Sequence, residues 1–367
     1  MRSICQFLLA VTLLIVVHGC QHGSKTSDDI QSGPLLLIQD EDDKYGYIDK
    51  TGEEVIPCQW EYAHSFSEGL AVVRDDDGCY GFINEKGEVV IDCQWMHAND
   101  FCEGLACVQD DYERYGYVNK TGNLVIPCQW YGADDFYEGI AWVVDENNKW
   151  GAIDKAGNIV IPCQWKDLYG YYGDELIPVC DGNDKWGYIN RKGEVMLPFK
   201  WNLVNYFSEG LAAVVDENDK YGYIDETGEL VIPCQWLEAY PFREGLAGVT
   251  NEDEKVGFID KRGELVIPCE WSFAEPFVDG TCVVSDIMMD NWGYIDNTGK
   301  EITPCKWSMA CTFENGLARV CNDRDEWGII DKKGHIVIPC RYDEMKSFGD
   351  GTFMGKDEDG DWHFLEP

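Results

Sequence analysis

Hydrophobic residues recur along this chain in short runs and never at helical spacing over a long window, a pattern that predicts strands. The run 80–83 is aromatic and β-branched, as a strand should be. Asn84 and Gly87 then occupy the first and fourth positions of a turn, where Asn can hydrogen-bond the backbone and Gly accepts a positive φ. Residues 88–91 return as a second strand, so this stretch is predicted to be a β-hairpin.

The rest of the unit is predicted from its proline, its connection and its second apolar run. Proline cannot donate to a ladder, so pairing is expected to end at Pro57. After Trp60 comes an aperiodic stretch, expected to form a bend or one helical turn. Residues 66–69 precede a third strand, 70–73, which is apolar on both faces and therefore expected to be covered on both. Each unit is thus predicted to have three short strands and one bent connection.

This pattern is repeated along the chain, and an aromatic-glycine pair opens each copy. The pair recurs at Tyr45-Gly46, Tyr80-Gly81, Tyr115-Gly116, Trp150-Gly151, Trp186-Gly187, Tyr221-Gly222, Trp292-Gly293 and Trp327-Gly328, with Val256-Gly257 as an aliphatic variant. Its glycine, which has no side chain, is expected to let a Trp ring or another backbone approach closely. A fixed period predicts units that cannot bury their apolar faces alone and must stack on their neighbours.

The repeats predict an all-β domain over residues 35–367, with nine repeats of about 35 residues and a terminal partial repeat. Both ends of this domain carry the same hairpin, although His363 stands where the last glycine would fall. Because the ends duplicate each other instead of completing one another, an open solenoid or superhelix of three-stranded repeats is favoured over a closed propeller-like ring.

The N-terminal residues are expected to be an export signal. The apolar run 4–17 is too short for a membrane-spanning helix of about 20 residues, and Gly19-Cys20 is similar to a bacterial lipobox. Residues 1–19 are therefore predicted to be a signal peptide, with Cys20 as the lipidated residue. Plain secretion and an uncleaved anchor are the alternatives. Residues 20–34 are predicted to be the lipidated N-terminus and a flexible tether.

The repeated phrase resembles the WG repeat, also called the KWG repeat, of bacterial proteins. The resemblance lies in the aromatic-glycine strand, the Asp/Asn-x-x-Gly turn, the Ile-Pro step and the Phe-x-Glu-Gly-Leu-Ala segment. It implies a β-repeat scaffold that is presumed to mediate binding and has no catalytic residues to transfer. The chain departs from the pattern at Val256, at Asp92 where most repeats have proline, and around residues 169–178.

Charge narrows the class of partner. The chain has 68 acidic and 29 basic side chains, a formal net charge of -39. Such a surface repels nucleic acid and anionic lipid, so membrane attachment is expected through the lipid anchor only. Cations, basic proteins and uncharged ligands remain the favoured partners.

Eight cysteines share one phase of the repeat. They are Cys58, Cys93, Cys128, Cys163, Cys234, Cys269, Cys305 and Cys340. Phe199 takes their place in one repeat, which favours an apolar role, so buried free thiols are favoured over disulfides and over a metal site. No histidine shares this phase.

Aromatic residues form a second series at one phase, called here the tryptophan ladder. It comprises Trp60, Trp95, Trp130, Trp165, Trp201, Trp236, Trp271, Trp307 and Tyr342. Core packing between repeats is favoured over a platform for sugar rings. Trp142 lies off the ladder and is predicted to be a surface aromatic.

Acidic residues concentrate in the turns that lead into each aromatic-glycine pair. Calcium could bind at residues 75–78 or 357–361, but neither stretch is a complete EF-hand loop. Solvated turns that also prevent edge pairing are favoured, and no metal or cofactor site is assigned.

Enzymatic chemistry has little support in the sequence. Histidines within the repeats fall at unrelated phases, and no nucleophile elbow, P-loop or metal-binding helix is present. The protein is therefore expected to be a non-enzymatic, exported, lipid-anchored scaffold of the cell envelope that binds a protein partner. A glycan-binding module is the alternative, and a hydrolase with a site at the irregular stretch 169–178 is a third, weaker one.

Overall fold

A computed structural model of the chain describes residues 35–49, 52–169, 175–286, 291–347 and 351–365. The predicted signal peptide, the tether and Cys20 lie outside these residues. All regular secondary structure in these ranges is β-strand, so the all-β class is confirmed. None of the described residues belongs to a helix long and apolar enough to cross a membrane. The chain divides into two compact units, 1–129 and 130–367.

The first unit contains three antiparallel sheets, in the orders β1-β2-β3, β4-β5-β6-β7 and β8-β9-β10-β11. Their strands are β1 (Leu36–Gln39), β2 (Tyr45–Ile48), β3 (Glu54–Trp60), β4 (Tyr62–Ala63), β5 (Leu70–Arg74), β6 (Tyr80–Asn84), β7 (Val89–Trp95), β8 (His97–Ala98), β9 (Leu105–Gln109), β10 (Tyr115–Asn119) and β11 (Leu124–Trp130).

The second unit contains six four-stranded sheets and a final three-stranded sheet, each with its strands in chain order. Their strands are β12 (Gly132–Ala133), β13 (Ile140–Val144), β14 (Trp150–Asp154), β15 (Ile159–Trp165), β16 (Asp167–Leu168), β17 (Ile177–Cys180), β18 (Trp186–Ile189), β19 (Val195–Trp201), β20 (Leu203–Val204), β21 (Leu211–Val215), β22 (Tyr221–Asp225), β23 (Leu230–Trp236), β24 (Glu238–Ala239), β25 (Leu246–Thr250), β26 (Val256–Asp260), β27 (Leu265–Trp271), β28 (Phe273–Ala274), β29 (Thr281–Ser285), β30 (Trp292–Asp296), β31 (Glu301–Trp307), β32 (Met309–Ala310), β33 (Leu317–Cys321), β34 (Trp327–Asp331), β35 (Ile336–Tyr342), β36 (Glu344–Ser347), β37 (Phe353–Lys356) and β38 (Trp362–Leu365).

The predicted hairpins form as the sequence indicated. Asn84 Oδ1 accepts hydrogen bonds from the backbone N–H groups of Lys86 and Glu88, both at 3.0 Å. Gly87 closes the turn with φ +77°, a conformation that glycine adopts without steric strain. Turn chemistry at these two positions therefore fixes the register of β6 against β7.

The bent connection is not a bend or a helical turn, as predicted, but a two-residue strand followed by a tight turn. Tyr62 and Ala63 form β4 and pair with the end of β5. Glu68 and Gly69 then both adopt positive φ, 50° and 85°, between the bridged residues Ser67 and Leu70. Positive φ at both central residues defines a type I′ turn, which suits the twist of a hairpin.

The fold class favoured by the sequence, an open solenoid of three-stranded repeats, is wrong. The added short strand makes each complete sheet a four-stranded antiparallel meander, which is the blade of a β-propeller. The described residues form eight such sheets and two three-stranded end sheets, which makes ten blades of the β-propeller type in all. The sequence hid this topology because a two-residue strand has no periodicity to detect.

In every sheet but the last described one, a seven-residue strand, called here the long edge strand, lies at the far side of the sheet and crosses the glycine of the aromatic-glycine pair. In β7, Ile91 pairs with Phe82 and Trp95 pairs with Tyr80, with a bulge between them. A Cβ on Gly81 would lie 2.6 Å from the Ile91 carbonyl oxygen, so the predicted close approach of backbone is confirmed.

Proline lies within the long edge strand and not at its end, as the sequence had suggested. Pro57 is inside β3, where the ladder to β2 is interrupted by a bulge between Ile56 and Trp60. The strand is also at the edge of its sheet, so the missing N–H removes no hydrogen bond from a neighbour.

Consecutive sheets share a hydrophobic interior. Val72 and Phe82 from one sheet pack in the same buried cluster as Phe101 and Val118 from the next. Strand β5 is buried from Leu70 to Val73, which confirms that the third predicted strand is covered on both faces. One repeat therefore cannot bury its own apolar surface.

The two end sheets each have three strands for different reasons. Within the residues that the structure describes, no short strand precedes β1 and no long edge strand follows β38. In β38, His363 occupies the position that glycine holds elsewhere. Since a side chain there would collide with a crossing strand, as the contacts of Gly81 show, β38 cannot be covered in the usual way.

Candidate functional site

One stretch of each repeat changes its side chains while the framework around it is kept. We call it the variable segment, the five residues that follow the ladder aromatic. The described complete variable segments are residues 61–65, 96–100, 131–135, 202–206, 237–241, 272–276, 308–312 and 343–347. Their sequences run EYAHS, MHAND, YGADD, NLVNY, LEAYP, SFAEP, SMACT and DEMKS. Only the third position is regularly apolar.

Backbone hydrogen bonds hold the variable segment whatever its side chains are. Glu61 N–H donates to Arg74 O, and His64 N–H donates to Val72 O, both at 3.0 Å. Tyr47 adds a side-chain clamp, because its hydroxyl donates to His64 O at 2.6 Å. Equivalent tyrosines donate to the fourth position of other segments, at Asn205, Tyr240 and Cys311. A rigid backbone with variable side chains is the usual arrangement of a binding surface.

Turns beside the variable segments tie neighbouring sheets together. Glu68, in the type I′ turn after the first segment, accepts the backbone N–H of Gly104 in the next sheet at 3.0 Å. Lys120 donates to Glu68 O at 2.8 Å and lies 3.1 Å from its carboxylate. The same three contacts recur around Glu209, with Gly245 and Lys261. Segments from consecutive sheets are therefore held in a fixed relation.

A hydrogen-bonded relay joins the first two variable segments. His64 Nδ1 lies 2.9 Å from Asp100 Oδ1, and its Nε2 lies 2.8 Å from the Tyr62 hydroxyl. Because a carboxylate can only accept, Nδ1 carries the proton and Nε2 accepts from the phenol. Burial raises the pKa of Tyr62, so the hydroxyl stays protonated at neutral pH and donates. This relay orients the Tyr62 ring.

Aromatic rings and one guanidinium surround that relay. Tyr80 lies between Tyr62 and His97, with ring centroids 6.3 and 5.5 Å away respectively. Arg74 Cζ is 5.9 Å from the centroids of both Tyr62 and Tyr80. Burial, and the positive charge that nearby His64 carries when it is protonated, lower the pKa of His97, which is therefore neutral at neutral pH. We call Tyr62, His64, Arg74, Tyr80, His97 and Asp100 the first-unit cluster.

The first-unit cluster was not predicted from the sequence, because the histidines of the repeats fall at unrelated phases. His64 and His97 occupy different positions within their segments, the fourth and the second. The two histidines nevertheless lie in consecutive variable segments. A comparison of whole segments, instead of single repeat positions, reveals this relation. The pairing across two sheets required the fold.

A buried carboxyl marks one variable segment of the second unit. Burial and the charge of Asp135 raise the pKa of Asp134 to about 6. Burial also raises the pKa of Glu275, the residue at the same position of a later segment. The fourth position of these two segments is therefore partly withdrawn from water, which favours the neutral form of a carboxyl group there.

In the two acidic turns considered for calcium, the first carboxylate accepts hydrogen bonds from backbone N–H groups of its own turn. Asp75 Oδ1 accepts N–H groups from Asp77 and Cys79, at 3.1 and 2.9 Å. Asp357 does the same for Asp359 and Asp361, at 3.1 and 3.0 Å. In the described ranges, no three His, Cys, Asp or Glu side chains are grouped to hold a metal ion. Calcium binding at these turns stays a prediction without support from their geometry.

The periodic cysteines lie against the glycines of the aromatic-glycine pairs. A Cβ on Gly46 would stand 2.8 Å from Cys58 Sγ, and the same relation holds for Gly81 and Cys93. The eight periodic cysteines, all within the described residues, are free thiols. Burial, together with the negative charge of Asp75, raises the pKa of Cys93 to about 11. The thiol acts as a small apolar filler, which explains why Phe199 can replace it.

The tryptophan ladder is largely packing. Trp130, Trp165, Trp201 and Trp307 are buried, which confirms their predicted role in the core. Buried rings offer little face to a sugar, so the glycan platform stays a prediction with reduced support. Trp142, predicted to be a surface aromatic, is 2% exposed, and that prediction is wrong. It lies in the second strand of its sheet and packs in one buried cluster with Ile177 and Val179 of the next sheet.

The described residues of the irregular stretch 169–178 do not form a recognisable functional site. Residues 170–174 lie outside the described part of the chain. Tyr169 is exposed, and Pro178 pairs with Tyr188 in the ladder between β17 and β18. The weak hydrolase hypothesis gains no catalytic arrangement from the residues described there.

Comparison with known proteins identifies the repeat. The family model described as the WG containing repeat matches residues 45–79, 80–112, 115–150, 150–185, 186–221, 221–254, 257–286, 292–324 and 327–354. No curated protein matches the chain.

Two solved structures are similar to part of the chain. The crystal structure of the computationally designed Ika8 protein is similar at 11% identity and a TM-score of 0.40, over 74% of this chain and 93% of its own. That of BamB from Moraxella catarrhalis is similar at 9% identity and a TM-score of 0.36, over 70% of this chain and 96% of its own.

Proposed function

Since the chain belongs to the WG repeat family, we propose that it is a non-enzymatic scaffold that binds a protein partner through its variable segments. We further propose that residues 1–19 direct export and that Cys20 is lipidated, which would hold the scaffold at the cell envelope. The apolar run 4–17 and the Gly19-Cys20 pair support this part of the proposal.

One observation carries the binding proposal, namely the contrast within each repeat. The aromatic-glycine strand, the long edge strand and the type I′ turn keep their residues because neighbouring sheets pack on them. The variable segment has a backbone held just as firmly, yet its exposed side chains range from Met96 to Tyr131 to Asp343. Packing alone does not require such diversity, whereas recognition of a partner does.

Charge favours a basic partner. The net charge of -39 repels acidic proteins and attracts basic ones over long range. Within the array, lysines of the acidic turns already pair with acids of the same unit, as Lys44 does with Glu61. The surplus carboxylates therefore remain available to a cationic surface.

Site-specific photo-crosslinking in the native host would test the proposal. A photo-reactive residue would replace Met96 or Met309 in variable segments, which are 51% and 54% exposed. Ile159 and Val195, on long edge strands and 57% and 55% exposed, provide matched controls. We expect one discrete protein adduct from the segment positions and none from the edge positions. Adducts only from the edge positions, or from no position, would contradict the proposal.

A further inference from the structure

Arg74 in the first-unit cluster has hydrogen-bonding groups that no residue of the described chain uses. Its Nε is buried without an acceptor, and its guanidinium has no carboxylate partner among the described residues. This is unexpected in a chain with 68 acidic and 29 basic side chains. The guanidinium instead lies 5.9 Å from the ring centroids of Tyr62 and Tyr80.

Nearby polar groups add donors, and the one carboxylate of the cluster, Asp100, is hydrogen-bonded through its Oδ1. Asp100 is occupied by His64 at 2.9 Å, and the relay through Tyr62 keeps that carboxylate paired. The Tyr80 hydroxyl has no partner among the described residues, and neutral His97, whose ring is 5.5 Å from that of Tyr80, carries one N–H. A planar guanidinium between two rings, with further donors beside it, matches the bidentate geometry of a carboxylate.

We propose that the first-unit cluster is a carboxylate-binding site, with Arg74 as the principal donor and Tyr80 and His97 beside it. This inference rests on the proposed function. The carboxylate that binds here would belong to the protein partner and would be a single one within a neutral or basic segment. A polyuronate chain carries a charge on every sugar, and the net charge of -39 repels such a polyanion. A lone carboxylate escapes most of that repulsion.

NMR titration of the full-length protein can test the site without knowledge of the partner. The probes are N-acetyl-trialanine with a free carboxylate, the same peptide as its amide, and a glucuronate oligomer. We expect saturable shifts of the His97 ring protons with the free acid and none with the amide. Loss of one charge-assisted interaction in Arg74→Gln should weaken binding by about tenfold.

Two further variants keep the test independent of folding. Tyr80→Phe retains the ring and removes only its hydroxyl, and it should weaken binding less than Arg74→Gln does. Lys356, which ends β37 as Arg74 ends β5, provides a matched control, and Lys356→Gln should bind like the wild type. Each variant is first checked for an unchanged circular dichroism spectrum and unfolding midpoint.

The outcomes separate this inference from the general function. No shifts with the free acid, equal shifts with the amide, or wild-type binding by Arg74→Gln would overturn the carboxylate site. Tighter binding of the glucuronate oligomer than of the peptide would overturn the assignment to a protein. If the site fails while segment crosslinks still form, only this inference falls. If the crosslinks fail, the scaffold proposal itself falls.

Discussion

A Cβ on Gly222 would stand 2.5 Å from the carbonyl oxygen of Ile232, on the long edge strand that crosses it. The Cys234 thiol would lie 2.8 Å from the same atom. Glycine at this position is therefore a packing requirement and not a conformational one, since its φ is not in the left-handed region. The relation recurs at Gly46, Gly81 and Gly116 and is the main steric constraint on each repeat.

Gly222→Ala should destabilise the protein strongly, because backbone and not a flexible side chain would have to move. We expect a loss of about 1–3 kcal/mol in the free energy of unfolding, as for other overpacked sites. Gly182→Ala is the control, since a Cβ there meets nothing within 4 Å. Chemical denaturation of both variants checks this, and equal midpoints would show that the crossing is loose.

Glu209 should contribute a small, pH-dependent stabilisation. Burial opposes its ionisation, but hydrogen bonds from Lys261 and from the Gly245 N–H outweigh it and hold the pKa below the ordinary value. Stability from this carboxylate is therefore fully present above the unfolded pKa of about 4.3 and is lost as the pH falls through the folded pKa. Because the pair is partly solvated, we expect Glu209→Gln to cost less than about 1 kcal/mol at neutral pH.

Denaturation at two pH values measures that contribution. The free energy of unfolding that Glu209→Gln loses relative to the wild type should shrink in strong acid, because Glu209 of the wild type is then protonated in both the folded and the unfolded state. Glu217→Gln, in a neighbouring acidic turn, removes one charge without breaking a hydrogen bond of the described residues and is the control. A deficit that persists unchanged in acid would mean that packing, and not charge, is responsible.

His97 should titrate below the ordinary histidine pKa of about 6.5. Burial lowers its pKa first, and the charge of nearby His64 lowers it further. Replacing His64 by glutamine removes only the second cause, so the pKa of His97 should rise part of the way. Proton NMR of the His97 ring against pH gives both values. An unchanged pKa in His64→Gln would show that the two rings do not interact.

The periodic thiols should be nearly inert in the folded protein. Burial is the leading cause that raises the pKa of Cys128 and of Cys234 to about 11, so almost no thiolate is present at neutral pH. Iodoacetamide should label both only after unfolding in guanidinium chloride, as followed by peptide mass spectrometry. Rapid labelling of Cys128 in the native state would contradict the burial of this series.

Lipidation can be tested apart from the fold. Cys20→Ala should abolish labelling with a fatty-acid analogue and move the protein from the membrane fraction to the soluble fraction. Cys5→Ala removes a thiol inside the predicted signal peptide and should leave both properties unchanged. Retention of Cys20→Ala in the membrane fraction would favour an uncleaved anchor.

Much of each sheet could be predicted from local chemistry. The turn from Asn84 to Gly87 and the buried strand of residues 70–73 are determined by residues close together in the chain. The need of Gly81 for close backbone approach was likewise visible as a repeated glycine in a strand. These features depend on hydrogen bonds and sterics within one repeat, and so one repeat is enough to reveal them.

Other features escaped prediction because they depend on neighbours in space. Two residues such as Tyr62 and Ala63 become a strand only by pairing with β5, and Trp142 is buried in a cluster that includes Ile177 of the next sheet. The contact between His64 and Asp100 joins two sheets, and no pattern along the chain reports it.

The sequence alone determined the period, the hairpins, the family and the all-β class, because each depends on a local pattern repeated many times. Tertiary structure decided that the sheets are propeller blades and that Tyr62, His64, Arg74 and Asp100 form one cluster. The physical reason is that strand order and cross-sheet contacts are set by packing between repeats, where each repeat supplies only part of the interaction.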